Sequence, residues 1–278
     1  MKIWGVRSSL IGDSVMALPI LEVLEKKYPN SYKYYCIAKK CQQCSKLFAN
    51  HPLINEIKIS DYEESLGESD FEIIKNCDLV INVSPPHPQE QDWYNYRNCV
   101  EETALMAGIN PLEVKNIKPR LYLEKDIKKL NNTIAIWPFA GYGQGIERSP
   151  NLDWWKNLFT ELNNNNYKIL HCGTNNEPEI GFGENYTKIT NLEFIEQIYT
   201  SLGCNGVIGT DSGSMWVTAA YHKTPQINLI TNWLPNHKQN LLALAPVGDK
   251  AYNLYADNGC SNITINSILK SIDENFCL

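Results

Sequence analysis

The sequence predicts an α/β protein of two Rossmann-like halves whose parallel sheets face one cleft. Two observations carry this. Short apolar runs alternate with amphipathic helical segments along most of the chain, the pattern of parallel strands covered on both faces. Behind a polar run at 124–132 that pattern starts afresh, so residues 1–124 and 133–278 are read as separate domains. A length of 278 residues leaves room for two cores, and 43% hydrophobic with 20% charged residues is the composition of a soluble globular protein.

In the first half, residues 2–6 form a strand and 7–13 a loop into a helix over 14–27, whose apolar positions 15, 18, 21 and 24 share one face. Pro19 should kink or break its first turns, since the ring removes a backbone donor and crowds the preceding turn. Strands follow at 32–38, 54–59 and 78–83, with a helix at 41–49 between the first two. Residues 84–88, Ser-Pro-Pro-His-Pro, extend the chain off the fourth strand. They serve either as a cleft wall, because ligands of open α/β sheets lie off such strand ends, or as a plain connection. A helix at 92–108 carries Trp93, Tyr94 and Tyr96 as packing residues, and a strand at 120–123 precedes the polar junction.

The second half opens with a strand at 133–138 and a Gly-rich loop at 139–148. A helix at 151–162 then places positions 152, 155, 159 and 162 on one apolar face. A strand at 167–172 runs into Gly173 and a polar turn ending at Glu177. A helix at 192–202, a buried strand at 207–209, a helix at 214–222, a strand at 225–230 and a closing amphipathic helix at 263–276 complete the series.

The turn at 210–213 is the strongest candidate for a ligand site. Asp211 and Ser212 carry oxygens that can accept from the unpaired first amides of the next helix, and Gly213, lacking a Cβ, lets another molecule approach the backbone. Free N–H groups and the positive end of the helix dipole point the same way there, which favours an anion and a phosphate above all. The same residues also suit an ordinary helix cap.

A formal charge of −6 argues against a broad nucleic-acid footprint. The nine cysteines are odd in number and irregular in spacing, and read as reduced, buried residues of a cytoplasmic protein. Cys41-x-x-Cys44 has neither a second pair nor a His-x-x-His partner, so zinc or redox use is not expected. Arg7 and Asp13 interrupt the apolar N-terminal stretch, so neither a signal peptide nor a membrane span is expected.

Three motifs, in order along the chain, resemble the glycosyltransferase family 9 heptosyltransferases, of GT-B fold. The first is Arg7-x-x-x-x-Gly12-Asp13, followed by Ala17-Leu-Pro19-Ile-Leu-x-x-Leu24 and Tyr28-Pro29. The second is Ile136-x-Pro138-x-Ala140 with Arg148-x-Pro150-x-x-x-Trp154. The third is Gly209-Thr-Asp211-Ser-Gly213-x-Met215-x-x-x-Ala219-Ala220, with Lys223-x-Pro225 behind it. The resemblance implies an inverting, metal-independent glycosyltransferase with no cofactor, taking a sugar from a nucleotide-diphosphate donor, ADP-heptose in the best-known members. The acceptor would be a glycan or other hydroxyl. A lipid-linked acceptor would bring the protein to a membrane surface as a peripheral visitor.

On this resemblance the first domain holds the acceptor and the second the donor. Asp13 takes the place of the catalytic base. Ala140, Gly141, Arg148, Glu177, Asp211, Ser212, Gly213 and Trp216 would line the donor site, with Ser212 and Gly213 amides on the pyrophosphate, Arg148 neutralising it and Glu177 on the ribose. This chain departs from the family at three points: Trp216 stands where a His is usual, Glu147 replaces one of two basic residues before Ser149-Pro150, and Trp137 stands where a His is common. Two other functions remain open: a protein of this fold that binds a nucleotide sugar without turnover, and an epimerase or hydrolase acting on the nucleotide sugar itself.

Overall fold

The structure, a computed structural model, describes residues 1–8, 10–60, 68–81, 98–124, 126–140, 148–231, 245–256 and 259–276, with main chain only at 4, 6–8, 68 and 69. The chain divides into two units, Met1–Glu124 and Lys125–Leu278.

The first unit runs β1 (Lys2–Ser8), α1 (Ile11–Met16), α2 (Leu18–Lys27), β2 (Tyr32–Ala38), a 3-10 helix (Lys39–Leu47), β3 (Glu56–Ser60), α3 (Glu68–Ile74), β4 (Leu79–Ile81) and α4 (Cys99–Met106). All strand pairs are parallel, in the order β3-β2-β1-β4. Strand order therefore reverses between β1 and β4, and in open α/β sheets a crevice for ligands opens off the carboxyl ends at such a reversal.

Several expectations need correction. The helix expected over 14–27 starts earlier, at Ile11, and its expected break near Pro19 falls at Ala17, which joins α1 to α2 and leaves Pro19 in the first turn of α2, where a missing N–H loses no intrahelical bond. Residues 41–49 do not form an α-helix. The 3-10 winding of Lys39–Leu47 has a three-residue period that aligns Cys44 and Leu47, its two buried side chains. Residues 120–123 are not a strand. Leu121 is buried between exposed Arg120 and Tyr122, so the alternation is present, but no strand among the described residues pairs with it. The sequence reading also missed α3, where buried Asp70 accepts from Ser60 at 2.5 Å. The Pro-rich stretch 84–88 and Trp93, Tyr94 and Tyr96 lie outside the described residues. What remains of the expected 92–108 helix is α4, capped by Asn98, which accepts from Glu101 N at 3.0 Å while Glu101 accepts from Asn98 N at 3.3 Å.

The second unit runs β5 (Thr133–Trp137), α5 (Leu152–Asn164), β6 (Lys168–His171), β7 (Tyr186–Lys188), α6 (Phe194–Gly203), β8 (Gly206–Thr210), α7 (Gly213–Ala220), β9 (Gln226–Thr231), β10 (Ala251–Ala256) and α8 (Ile265–Asn275). Its parallel sheet has the order β10-β9-β8-β5-β6-β7. Counted in order of appearance, this is the 3-2-1-4-5-6 arrangement of dinucleotide-binding folds, with its reversal between β5 and β8. The two strands that the sequence did not reveal, β7 and β10, are the edges, one only three residues long and the other half exposed with Asn253 at its middle.

Every residue of β5, β8 and β9 is buried, as expected for the centre of a sheet covered on both sides. One face is apolar: Ile134, Ile136, Ile208, Ile227 and Leu229 pack with Trp155, Leu158 and Leu162 of α5 and Ile268 and Ile272 of α8. The other face meets α6 and α7 partly through paired polar groups. Trp137 Nε1 donates to Ser201 Oγ at 3.2 Å, and Gln226 accepts from Thr218 at 2.7 Å while donating to Met215 O at 3.0 Å. Pairing matters there, because a buried amide without a partner costs about 1–3 kcal/mol.

Candidate functional site

The loops after β5 and β8 flank the reversal point of the second sheet, and Ala140, Arg148, Asp211 and Ser212 sit on them. Asp211 continues β8 by one residue, its N–H donating to Leu229 O at 3.2 Å. Its carboxylate lies 3.9 Å from Arg148 Nη1, with both side chains mostly covered, at 12% and 21% exposure. That separation is an ion pair rather than a hydrogen bond. The pairing offsets a negative charge that would otherwise repel an anion, and the guanidinium fork matches phosphate geometry as well as carboxylate. Beneath the pair, Cys260 donates to Arg148 O at 2.9 Å. Burial, with Asp211 adding to it, pushes the Cys260 thiol up to about 12, so it remains a neutral donor.

Ser212 is the N-cap residue of α7, but its side chain makes no cap hydrogen bond. The cap expected from Asp211 and Ser212 is thus not made by Ser212. The amides of Met215 and Trp216 are already bonded to Ser212 O, at 3.1 and 3.2 Å, which leaves the first turn at Gly213 and Ser214 as the place where an acceptor is wanted. Three buried polar atoms of this segment, Thr210 Oγ1, Ser212 Oγ and Trp216 Nε1, have no hydrogen-bond partner among the described residues. Such orphans are rare in folded proteins. Trp216 is only 1% exposed, so its ring belongs to the core.

Of the other donor-site candidates, Ala140 has its N–H committed to Ser149 Oγ at 3.0 Å, and Gly141 lies outside the described residues with Glu147. Glu177 lies past the end of β6. It accepts from Thr174 N at 2.9 Å, from Thr174 Oγ1 at 3.2 Å and from His171 Nε2 at 3.3 Å. Below it, Gln197 of α6 holds both backbone groups of Gly173, at 2.8 and 3.1 Å. Ser149, Thr174, His171, Tyr186 and Gln197 were not named from sequence: Thr174 is a local turn partner of Glu177, and the other four act through residues further away along the chain.

Asp13 belongs to the other unit. It is not an N-cap but the third residue of α1, half-buried, and its Oδ2 accepts from Leu10 N at 3.2 Å. It follows the central strand β1 at the reversal point of that sheet. Cys41 is its electrostatic neighbour, and burial is the main cause that raises the thiol above its ordinary value. The partner half of that Cys-x-x-Cys pair, Cys44, is pushed up to about 12 by burial. Among the described residues, no group of three or more His, Cys, Asp or Glu is placed to hold a metal ion, and no helix is long and apolar enough to cross a membrane.

No family model and no curated protein sequence matches the chain. Solved structures do. ADP-heptose lipopolysaccharide heptosyltransferase II of E. coli superposes with a TM-score of 0.72 at 15% identity, covering 99% of this chain and 98% of that one. A glycosyl transferase family 9 protein of Veillonella parvula gives 0.70 at 17% identity, covering 99% and 97%. E. coli heptosyltransferase WaaC, in a structure with ADP, gives 0.67 at 15% identity, covering 99% and 100%. At such identities the likeness is one of fold: two parallel α/β units of the GT-B class, as the sequence led us to expect.

Proposed function

We propose that the protein is a glycosyltransferase that moves a sugar from a nucleoside-diphosphate donor to an acceptor hydroxyl. The observation that carries the reading is the head of α7, where a side-chain cap is missing, Arg148 pairs with Asp211, and the sheet order reverses beside it. Full-length likeness in fold to heptosyltransferases supports it, and one of those structures holds ADP.

In this reading the amides of Gly213 and Ser214 and the Arg148 guanidinium hold the diphosphate. As the bond from the anomeric carbon to the leaving oxygen breaks, negative charge grows on the diphosphate, and these donors stabilise it without a metal. Asp13 takes the proton of the acceptor hydroxyl as its oxygen attacks the opposite face of that carbon, inverting its configuration. Glu177 accepts from the ribose. ADP-heptose is the first donor to try, and the acceptor is a glycan or other hydroxyl compound, including one anchored in lipid and met from the cytoplasmic side.

A second reading, binding of a nucleotide sugar without turnover, draws on Trp216, whose indole is buried in the core and brings no charge where the family has an imidazole. The deciding assay is release of nucleoside diphosphate from ADP-heptose and a panel of UDP-, GDP- and ADP-sugars, with and without glycan acceptors. Acceptor-dependent release supports transfer. Release without acceptor indicates hydrolysis or epimerisation through the free nucleotide, and tight binding without release indicates the binding protein.

A further inference from the structure

His171, at the end of β6, is fully buried, yet both ring nitrogens are engaged: Nδ1 lies 2.7 Å from Tyr186 Oη on the neighbouring strand and Nε2 lies 3.3 Å from Glu177 Oε2. The Glu177 carboxylate can only accept, so the hydrogen of this contact sits on His171 Nε2, and Tyr186 holds the opposite ring nitrogen. Tyr186 is itself tied down, accepting from Ile180 N at 3.3 Å. A chain of hydrogen bonds runs from the Ile180 amide through Tyr186 and His171 to the carboxylate.

The carboxylate is fixed on its other side as well. Oε1 takes both donors of Thr174, and the carboxyl group lies so close over Gly173 that a Cβ there would come within 2.1 Å of Oε2. Gly173 has φ +147°, a value L side chains rarely adopt. A carboxylate has about four acceptor positions. Three are filled, so one position on Oε2 is left, aimed by the imidazole.

We infer that His171 and Tyr186 are positioning residues that hold Glu177 to accept one ribose hydroxyl, not a cis-diol pair, of the bound nucleotide. This rests on the donor-site reading above, in which Glu177 faces the ribose.

The test is equilibrium binding of ADP, UDP and GDP, then of the 2′-deoxy and 3′-deoxy forms of whichever binds tightest, to wild type, Glu177→Gln, His171→Asn and Tyr186→Phe. Wild type should lose about tenfold or more in affinity for one deoxy form and little for the other. Glu177→Gln should erase that preference. Tyr186→Phe and His171→Asn should shrink it while leaving affinity for the discriminated deoxy form unchanged. A merely structural role would instead weaken all three nucleotides equally in those two variants, which overturns the inference and leaves the donor site standing. Equal loss for both deoxy forms in wild type, or no preference at all, also overturns it. Failure of any nucleoside diphosphate to bind removes the donor reading and the inference with it.

Discussion

Each unit carries its central strand into a short helix at the point where strand order reverses, and the two turns resolve their helix heads in opposite ways. At β1–α1, Asp13 folds back to the Leu10 amide at 3.2 Å, so the chain supplies its own acceptor and presents a carboxylate. At β8–α7, Ser212 has an extended backbone, φ −156° and ψ 164°, and makes no side-chain cap bond. The first head has its dipole answered by a negative charge within its first turn, while at the second the preceding acid, Asp211, is offset by Arg148. On the proposed function, one architecture used twice would offer a proton acceptor in one unit and an anion cradle in the other. The local sequence decides which, through an acid in the third position of the first helix and small residues before the second.

The largest effect that tests this contrast is expected from Asp13→Asn. The amide keeps an oxygen for Leu10 N but takes no proton, so the helix start survives and the base does not. Turnover should fall by roughly 10²–10⁴, the usual worth of a general base, with donor affinity held within about twofold. Parallel loss of donor affinity would mean that the two turns do not divide the labour. Next in size is Arg148→Ala, expected to weaken nucleoside-diphosphate binding by about 1.5–3 kcal/mol, the worth of a hydrogen bond to a charged group. Arg148→Lys should recover only part of that, since an ammonium lacks the planar fork. Calorimetry with the bare nucleotide reads both, and unchanged affinity in Arg148→Ala would take Arg148 out of the cradle.

How much of this was legible beforehand depended on whether the information is local. β2 was bounded correctly because an apolar run ended in polar residues, and the β8–α7 turn was found because Gly, Ser and Asp before an apolar helix have few other uses. The edges β7 and β10 escaped because no residue of either is fully buried, so the apolar signature of a central strand is missing. The strand expected at 120–123 failed for the converse reason, since alternation reports one-sided burial and says nothing about a pairing neighbour. Within the site, Arg148 and Asp211 were named from sequence, but their pairing across 63 positions was not. The chain from Tyr186 through His171 to Glu177 joins two strands and a loop, and no spacing rule announces it.

The smallest expected effect probes the helix head directly. Asn151 caps α5 in the same unit, accepting from Trp154 N at 2.9 Å, so Asn151→Ala should cost about 1 kcal/mol in urea unfolding. Ser212→Ala removes a buried hydroxyl that has no partner among the described residues, so stability should be unchanged or slightly raised. The comparison is internal, because both substitutions delete a polar N-cap side chain in the same unit. A cost at Ser212 equal to that at Asn151 would show its hydroxyl capping α7 in solution. The second head would then be closed like the first, and the cradle would have to be sought elsewhere on the sheet.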